Sequence, residues 1–219
     1  MKLAKYIIAL ALAAVLAAPA YATRFSKTQE TKAQALFASA EAYSDRGARD
    51  KAIADYSKAI KLDPAYANAY YGRGNAYADK RQYAKAIADF TQVIKLEPKN
   101  TYAVYNRGLT YSEKGDYEAA IADFTRAIEL DPKYAKAYNN RAVAYGKKGD
   151  NDKAIEDCNR AIKVDPKHAD AYSNRGFAYI AKGDYAKAIA DCTRALELEP
   201  RHYRARKNLE WAKELAAKQ

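Results

Sequence analysis

Apolar residues recur along this chain in two alternating helical patterns. In "AVYNRGLTY" (103–111), Val104, Gly108 and Tyr111 are spaced by four and then three residues, which places them on one face of a helix. "AYSNRGFAY" (171–179) repeats the pattern with Tyr172, Gly176 and Tyr179. A second amphipathic stretch follows each first one, marked by an Ala-Ile pair: Ala52-Ile53, Ala86-Ile87, Ala120-Ile121, Ala154-Ile155 and Ala188-Ile189. Between the two stretches lies a turn, "KGD", with Gly115, Gly149 and Gly183. Glycine takes the left-handed conformation that ends a helix. The aspartates that follow, Asp116, Asp150 and Asp184, can cap the next one. The pattern predicts helix A, a tight turn, helix B, and then a stop.

The stop is periodic. Pro64, Pro98, Pro132, Pro166 and Pro200 are 34 residues apart, each preceded by an acid and ending helix B because the ring cannot continue the hydrogen-bond ladder. Five units follow: 33–66, 67–100, 101–134, 135–168 and 169–202. Position 1 is the first residue of a unit. The small residues at positions 8 and 20 allow the two helices of a unit to approach closely. Residues 203–219 carry a further stripe, Ala205, Leu209, Ala212 and Ala216, and are predicted to form a helix capping the open end of the last unit, as solenoids require.

The period, the aromatic at position 11, Ala at 20, a ring at 24 in three units, Ala at 27 and Pro at 32 together resemble the tetratricopeptide repeat (TPR) over residues 33–202. The departures are small. Tyr usually replaces Trp at position 4, the first unit has Leu36 there, and the turn "KRQY" of unit two lacks the glycine. The resemblance implies an all-α, right-handed α-solenoid of five helix-turn-helix repeats plus a C-terminal capping helix. It also implies a non-catalytic protein–protein interaction scaffold, binding an extended peptide or a helix in its concave groove.

Position 7 holds Arg73, Arg107, Arg141 and Arg175, close on the helical wheel to the packing positions. A buried guanidinium needs a partner. Position 23 supplies one in every unit: Asp55, Asp89, Asp123, Asp157 and Asp191. These residues are expected to form structural ion pairs, bidentate where the geometry allows. Pairing within a repeat leaves Asp55 over, and pairing between repeats leaves Asp191. The second is favoured because helix B packs on the following helix A.

Implied by the resemblance, positions 2, 6, 9 and 13 face the concave groove. Position 6 reads Ala38, Gly72, Asn106, Asn140, Asn174, a ladder of three consecutive amides. A carboxamide both donates and accepts, so it can hold a peptide backbone, as a similar ladder does in the glycosyltransferase branch of the family. Phe37, Tyr71 and Tyr105 at position 5, Leu109, Val143 and Phe177 at position 9, and Tyr102 and Lys136 at position 2 add apolar, aromatic and basic groups. For the tyrosines at position 5 the alternative is packing on neighbouring helices. Some TPR proteins hold a peptide C-terminus in a carboxylate clamp. Asn75, Asn106 and Lys136 match its positions, whereas Tyr71 and Asn140 stand where cations belong, so a strict clamp is not expected.

Charge and composition alter this picture only at the edges. The 219 residues include 20 Tyr and one Trp, are 49% hydrophobic and 30% charged, and carry a net +11, a composition of folded protein. The excess charge raises a rival reading, a basic envelope protein binding a polyanion through its convex face and C-terminal helix. "MKLAKYIIALALAAVLAAPAYATRF" has two lysines, a short apolar run, Pro19 and a small-x-small site at Ala20-Tyr21-Ala22, the three parts of a signal peptide. Residues 1–22 are therefore expected to direct export to the periplasm or outside the cell. The alternative is an uncleaved anchor. Cleavage removes Lys2 and Lys5 and takes the net charge from +11 to +9. Residues 23–32 read as a polar linker or a helical lead-in.

Cys158 and Cys192 sit at position 24 of units four and five, where earlier units carry rings, and read as core residues without a bridge between them. His168 and His202 lack neighbouring ligands in the sequence. No phosphate-binding, dinucleotide or nucleophile motif is present. The expectation is a chain with protein or peptide partners and with no catalytic residues, metal, cofactor, nucleic-acid partner or membrane span after cleavage.

Overall fold

The computed structural model describes residues 27–218. The signal segment 1–22 and residues 23–26 of the expected linker lie outside the described residues. Among the described residues the chain is entirely helical: α1 (27–45), α2 (Arg49–Leu62), α3 (Ala67–Asp79), α4 (Tyr83–Leu96), α5 (Thr101–Lys114), α6 (Tyr117–Leu130), α7 (Ala135–Lys147), α8 (Asn151–Val164), α9 (Ala169–Ala181), α10 (Tyr185–Leu198) and α11 (Tyr203–Ala216). Residues 27–32 form the first turns of α1, the helical lead-in of the two readings. No described helix is long and apolar enough to cross a membrane.

The chain divides into two compact units, one ending at Arg81 and one beginning at Gln82. In the first, α2 packs on α3, and Ala40, Ala52, Tyr56 and Ala59 form the core with Leu36 and Phe37 against it. In the second, each helix from α4 to α11 packs on the next, and alternate helices also touch, α5 on α7, α7 on α9 and α9 on α11. Phe124 and Val104 are fully buried at the centre of one core cluster. Cys158 and Cys192 are buried free thiols at the same repeat position, and burial pushes each up to about 12.

The turns follow the sequence pattern, with one exception. Gly47, Gly115, Gly149 and Gly183 have φ between +74° and +89°. Arg81 occupies the same position in unit two and adopts the same conformation, with φ of 56°, despite its Cβ. Asp116, Asp150 and Asp184 accept bonds from the N–H of Ala119, Lys153 and Lys187, capping α6, α8 and α10. The helices approach closely at Gly108 and Gly176. A Cβ on Gly108 would lie 3.0 Å from the Phe124 ring, and one on Gly176 would lie 2.7 Å from Cys192 Sγ and 3.3 Å from the Ala188 carbonyl.

The capping stripe is shifted relative to the sequence reading. Ala205 and Ala212 are fully buried and Leu215 packs against Ile180 and Ala188, but Ala216 is exposed. Helix α11 ends at that residue, so its last turn contributes Leu215 to the core instead.

Candidate functional site

The arginines form ion pairs within repeats, which corrects the expectation of pairing between them. Arg107 donates from Nε and Nη2 to the two oxygens of Asp123 at 2.8 and 2.7 Å. Arg141 does the same to Asp157 at 2.7 and 2.8 Å, and Arg175 to Asp191 at 2.7 and 2.6 Å. The connection between repeats comes from the third arm of the guanidinium. Nη1 of Arg73, Arg107 and Arg141 reaches Ser57, Thr91 and Thr125 of the preceding repeat at 3.0, 3.0 and 2.9 Å, and that of Arg175 reaches Asn159. A fork geometry explains this division, because two parallel donors match one carboxylate and leave the other nitrogen pointing away. Sequence reasoning missed position 25, although its signal was present: four short acceptor side chains 34 residues apart. Arg73, Arg141 and Arg175 also lie over the rings of Tyr70, Tyr138 and Tyr172. In unit one Ser39 stands at position 7 and donates to Asp55 at 2.8 Å, and Lys58 takes the other oxygen. Asp89 is buried in the second unit.

The amide ladder is built by the same repeat logic. Asn140 Nδ2 donates to the Tyr105 hydroxyl at 2.6 Å, and Asn174 Nδ2 donates to Asn139 Oδ1 at 2.9 Å. Each bond runs from position 6 to position 5 of the preceding repeat. It fixes the side chain and leaves the carboxamide oxygen and the second N–H unused among the described residues. Asn208 on α11 is a further rung 34 residues on, overlooked in the sequence because it lies beyond the last proline. Its amide reaches the Ser173 carbonyl at 3.3 Å. The Ser173 side chain is too short to take the role of Tyr105 or Asn139, and its buried Oγ has no partner. Asn106 is half-buried on α5. The ladder does not extend back to Gly72, because the Tyr56 ring lies 2.5 Å from where a Cβ would stand.

Tyr105 is not on a groove floor. It is 8% exposed, with its ring against Phe124 and Tyr134 at 5.7 and 4.8 Å, and only its hydroxyl serves the ladder. The remaining residues named from the sequence fall in three different cavities. Tyr71 and Asn75 belong to the first unit, in a cavity of about 190 Å³ shared with Phe37 and Tyr56. Tyr102 and Lys136 open onto a cleft of about 800 Å³ between the inter-repeat loops, beside Tyr134 and His168. Tyr102 is 65% exposed and stacks edge-on to Tyr134.

Asn174 and Phe177 line a different cleft, of about 420 Å³, together with Asn208. Its floor is Ala142, Ala154, Cys158 and Ala178, and its rim includes Lys147, Arg204 and Lys207. Phe177 is 46% exposed and lies 6.1 Å from Trp211, itself 44% exposed. No group of three or more His, Cys, Asp or Glu able to hold a metal occurs among the described residues. His202 is used structurally: its Nδ1 accepts the Ala205 N–H and its Nε2 lies 3.2 Å from Asp170.

Comparison with known proteins agrees with this architecture. Profiles described as "TPR repeat" match residues 40–80 and 108–149, and profiles described as "Tetratricopeptide repeat" match 67–100, 90–122, 135–168 and 169–202. No curated protein matches the chain. Among solved structures, a crystal structure of MamA is 31% identical over 74% of this chain and 95% of its own, with a TM-score of 0.69. YrrB, a TPR protein with an unusual peptide-binding site, is 29% identical over 83% of this chain and 95% of its own, with a TM-score of 0.67. The first TPR of Spaghetti, bound to the HSP90 peptide SRMEEVD, is 32% identical over 53% of this chain and 93% of its own, with a TM-score of 0.52. On repeat period, helical architecture and these matches, the chain belongs to the tetratricopeptide repeat family.

Proposed function

We propose that this chain is a non-catalytic scaffold that captures an extended polypeptide segment on its helix-A surface. The observation that carries the reading is the amide row. Asn140 and Asn174 are each held by the preceding repeat and each keeps a carboxamide oxygen and an N–H for a partner. A peptide backbone offers the complementary groups, and side chains already fixed lose little freedom on binding. The exposed Phe177 and Trp211 add apolar surface of the kind that marks partner sites. The peptide-binding site of YrrB and the HSP90 peptide bound to the Spaghetti domain support a peptide or protein partner. We also propose export, on the strength of the lysine, apolar and Ala20-Tyr21-Ala22 segments.

The test is affinity capture from an envelope extract with the full chain and with an Asn106/Asn140/Asn174→Ala variant. The expected outcome is loss of the wild-type partners from the triple variant. Glu156→Ala, an exposed change on helix B away from the amide row, is the control and is expected to retain them. Recovery of the same partners by the triple variant overturns the reading. The capture is repeated at higher salt, because polyanion binding weakens steeply with ionic strength and amide-mediated capture only mildly.

A further inference from the structure

We propose that the cleft beneath α11 receives an acidic peptide segment through a bulky apolar side chain. The proposal rests on the peptide-scaffold reading and specifies the partner's chemistry and the end of the second unit that it occupies.

The interior of the cleft is apolar and vacated by small residues. Its floor is three alanines and a thiol, and burial keeps that thiol neutral. At Gly146, on the wall, an added Cβ would meet nothing within 4 Å. The volume of about 420 Å³ lies within the range of pockets that enclose ligands. Phe177 forms one side, backed by Trp211 in a tilted pair, so an inserted ring or branched chain meets an aromatic face that is otherwise half in water.

The rim determines the sign of the partner's charge. Lys147, Arg204 and Lys207 line the cleft, and no carboxylate does. Lys147 has no ion pair among the described residues. Arg204 and Lys207 are 62% and 59% exposed and pair with Asp170 and Glu210 at 2.7 and 3.1 Å. Exposed pairs of this kind are weak and readily exchanged for a partner's carboxylate.

The amides select a peptide over other anionic amphiphiles. Asn174 presents a carboxamide oxygen and an N–H at the cleft edge, and Asn208 sits beside it. A peptide unit offers both an N–H and a C=O to that pair. A fatty-acid chain has no N–H to offer the oxygen, so an acyl occupant gains no bond there.

Trp211 is the chain's one tryptophan and adjoins the site through Phe177, so its fluorescence reports occupancy without a label. The full chain is titrated with three synthetic peptides lacking Trp: one alternating Glu with Leu and Phe, one with Gly in place of the apolar residues, and one with Lys in place of Glu. Dodecanoate is titrated in parallel. The expected result is saturable binding of the first peptide, at least ten-fold tighter than the other three probes. Gly146→Leu fills the cleft and favours the helix. It is expected to weaken binding at least ten-fold with an unchanged or raised melting temperature. Lys147→Glu with Lys207→Glu is expected to weaken it similarly. Equal binding of the Lys peptide, tighter binding of dodecanoate, or full binding to Gly146→Leu overturns the proposal. If the peptide binds Gly146→Leu normally but not Asn106/Asn140→Ala, this site falls and the scaffold reading stands. If no peptide binds and capture is insensitive to the amide variants, both fall.

Discussion

Asp157→Ala tests whether the arginines are internal fasteners. In the native chain Arg141 and Asp157 are 11% and 4% exposed and share two parallel hydrogen bonds. The substitution leaves a buried guanidinium with only the Thr125 hydroxyl and the Tyr138 face. Breaking a buried pair from one side costs about 3–5 kcal/mol. The surviving contacts and the residual exposure of Arg141 put this case near the lower end, about 3 kcal/mol. For a chain of this size each kcal/mol moves the melting midpoint by about 2–4 °C, so a fall of about 6–12 °C is expected. Glu156→Ala is the control, because the Arg160–Glu156 pair one turn away is 51% and 61% exposed and is worth about 0.3–0.5 kcal/mol. Replacing both partners, Arg141→Met with Asp157→Leu, is expected to recover most of the loss, since an apolar pair leaves no charge stranded. Far-UV circular dichroism melts measure all three. Hydrogen exchange should show the loosening concentrated in α7, α8 and their neighbours, because stability in repeat proteins is local. A shift for Asp157→Ala no larger than that for Glu156→Ala would refute the reasoning.

Arg81→Gly relieves a left-handed residue that carries a Cβ. It is expected to stabilise by up to about 1 kcal/mol, seen as a rise of a few degrees in the melting midpoint; a fall would show that the Arg81 side chain stabilises the turn. Gly176→Ala places a Cβ against Cys192 Sγ and the Ala188 carbonyl and is expected to destabilise by about 1–3 kcal/mol in the same assay. Gly146→Ala, open at the same distance, should not. Asp150 and Asp184 are held below the ordinary carboxyl value of 3.8, first by Lys153 and Lys187 and then by the backbone N–H groups they cap. A depressed carboxylate stabilises the fold above its unfolded value and loses that contribution as pH falls through the lower folded one. The melting midpoint should therefore drop below about pH 4, and Asp150→Asn with Asp184→Asn should flatten the slope in that range.

The repeat was legible because it rests on local rules. Proline stops a helix, glycine takes positive φ, aspartate caps, and small residues sit where helices touch, wherever the rest of the chain lies. The position-7 arginines and position-23 aspartates were legible as partners because a buried charge demands one. Which partner each arginine took was not. Both pairings satisfy the charge, and only the separation of helices A and B decides that the fork closes within a repeat while its third arm reaches Thr91 or Thr125 behind it. The same holds for the surface. The resemblance put Tyr105 and Asn140 on neighbouring positions of an expected groove, with packing as the alternative for the tyrosine, and the structure buries the tyrosine. Asn208 joined the ladder only because α11 docks as a further helix A. Period and residue type set what can be buried, capped or paired; the distances between repeats, which no single helix encodes, decided what remained available to a partner.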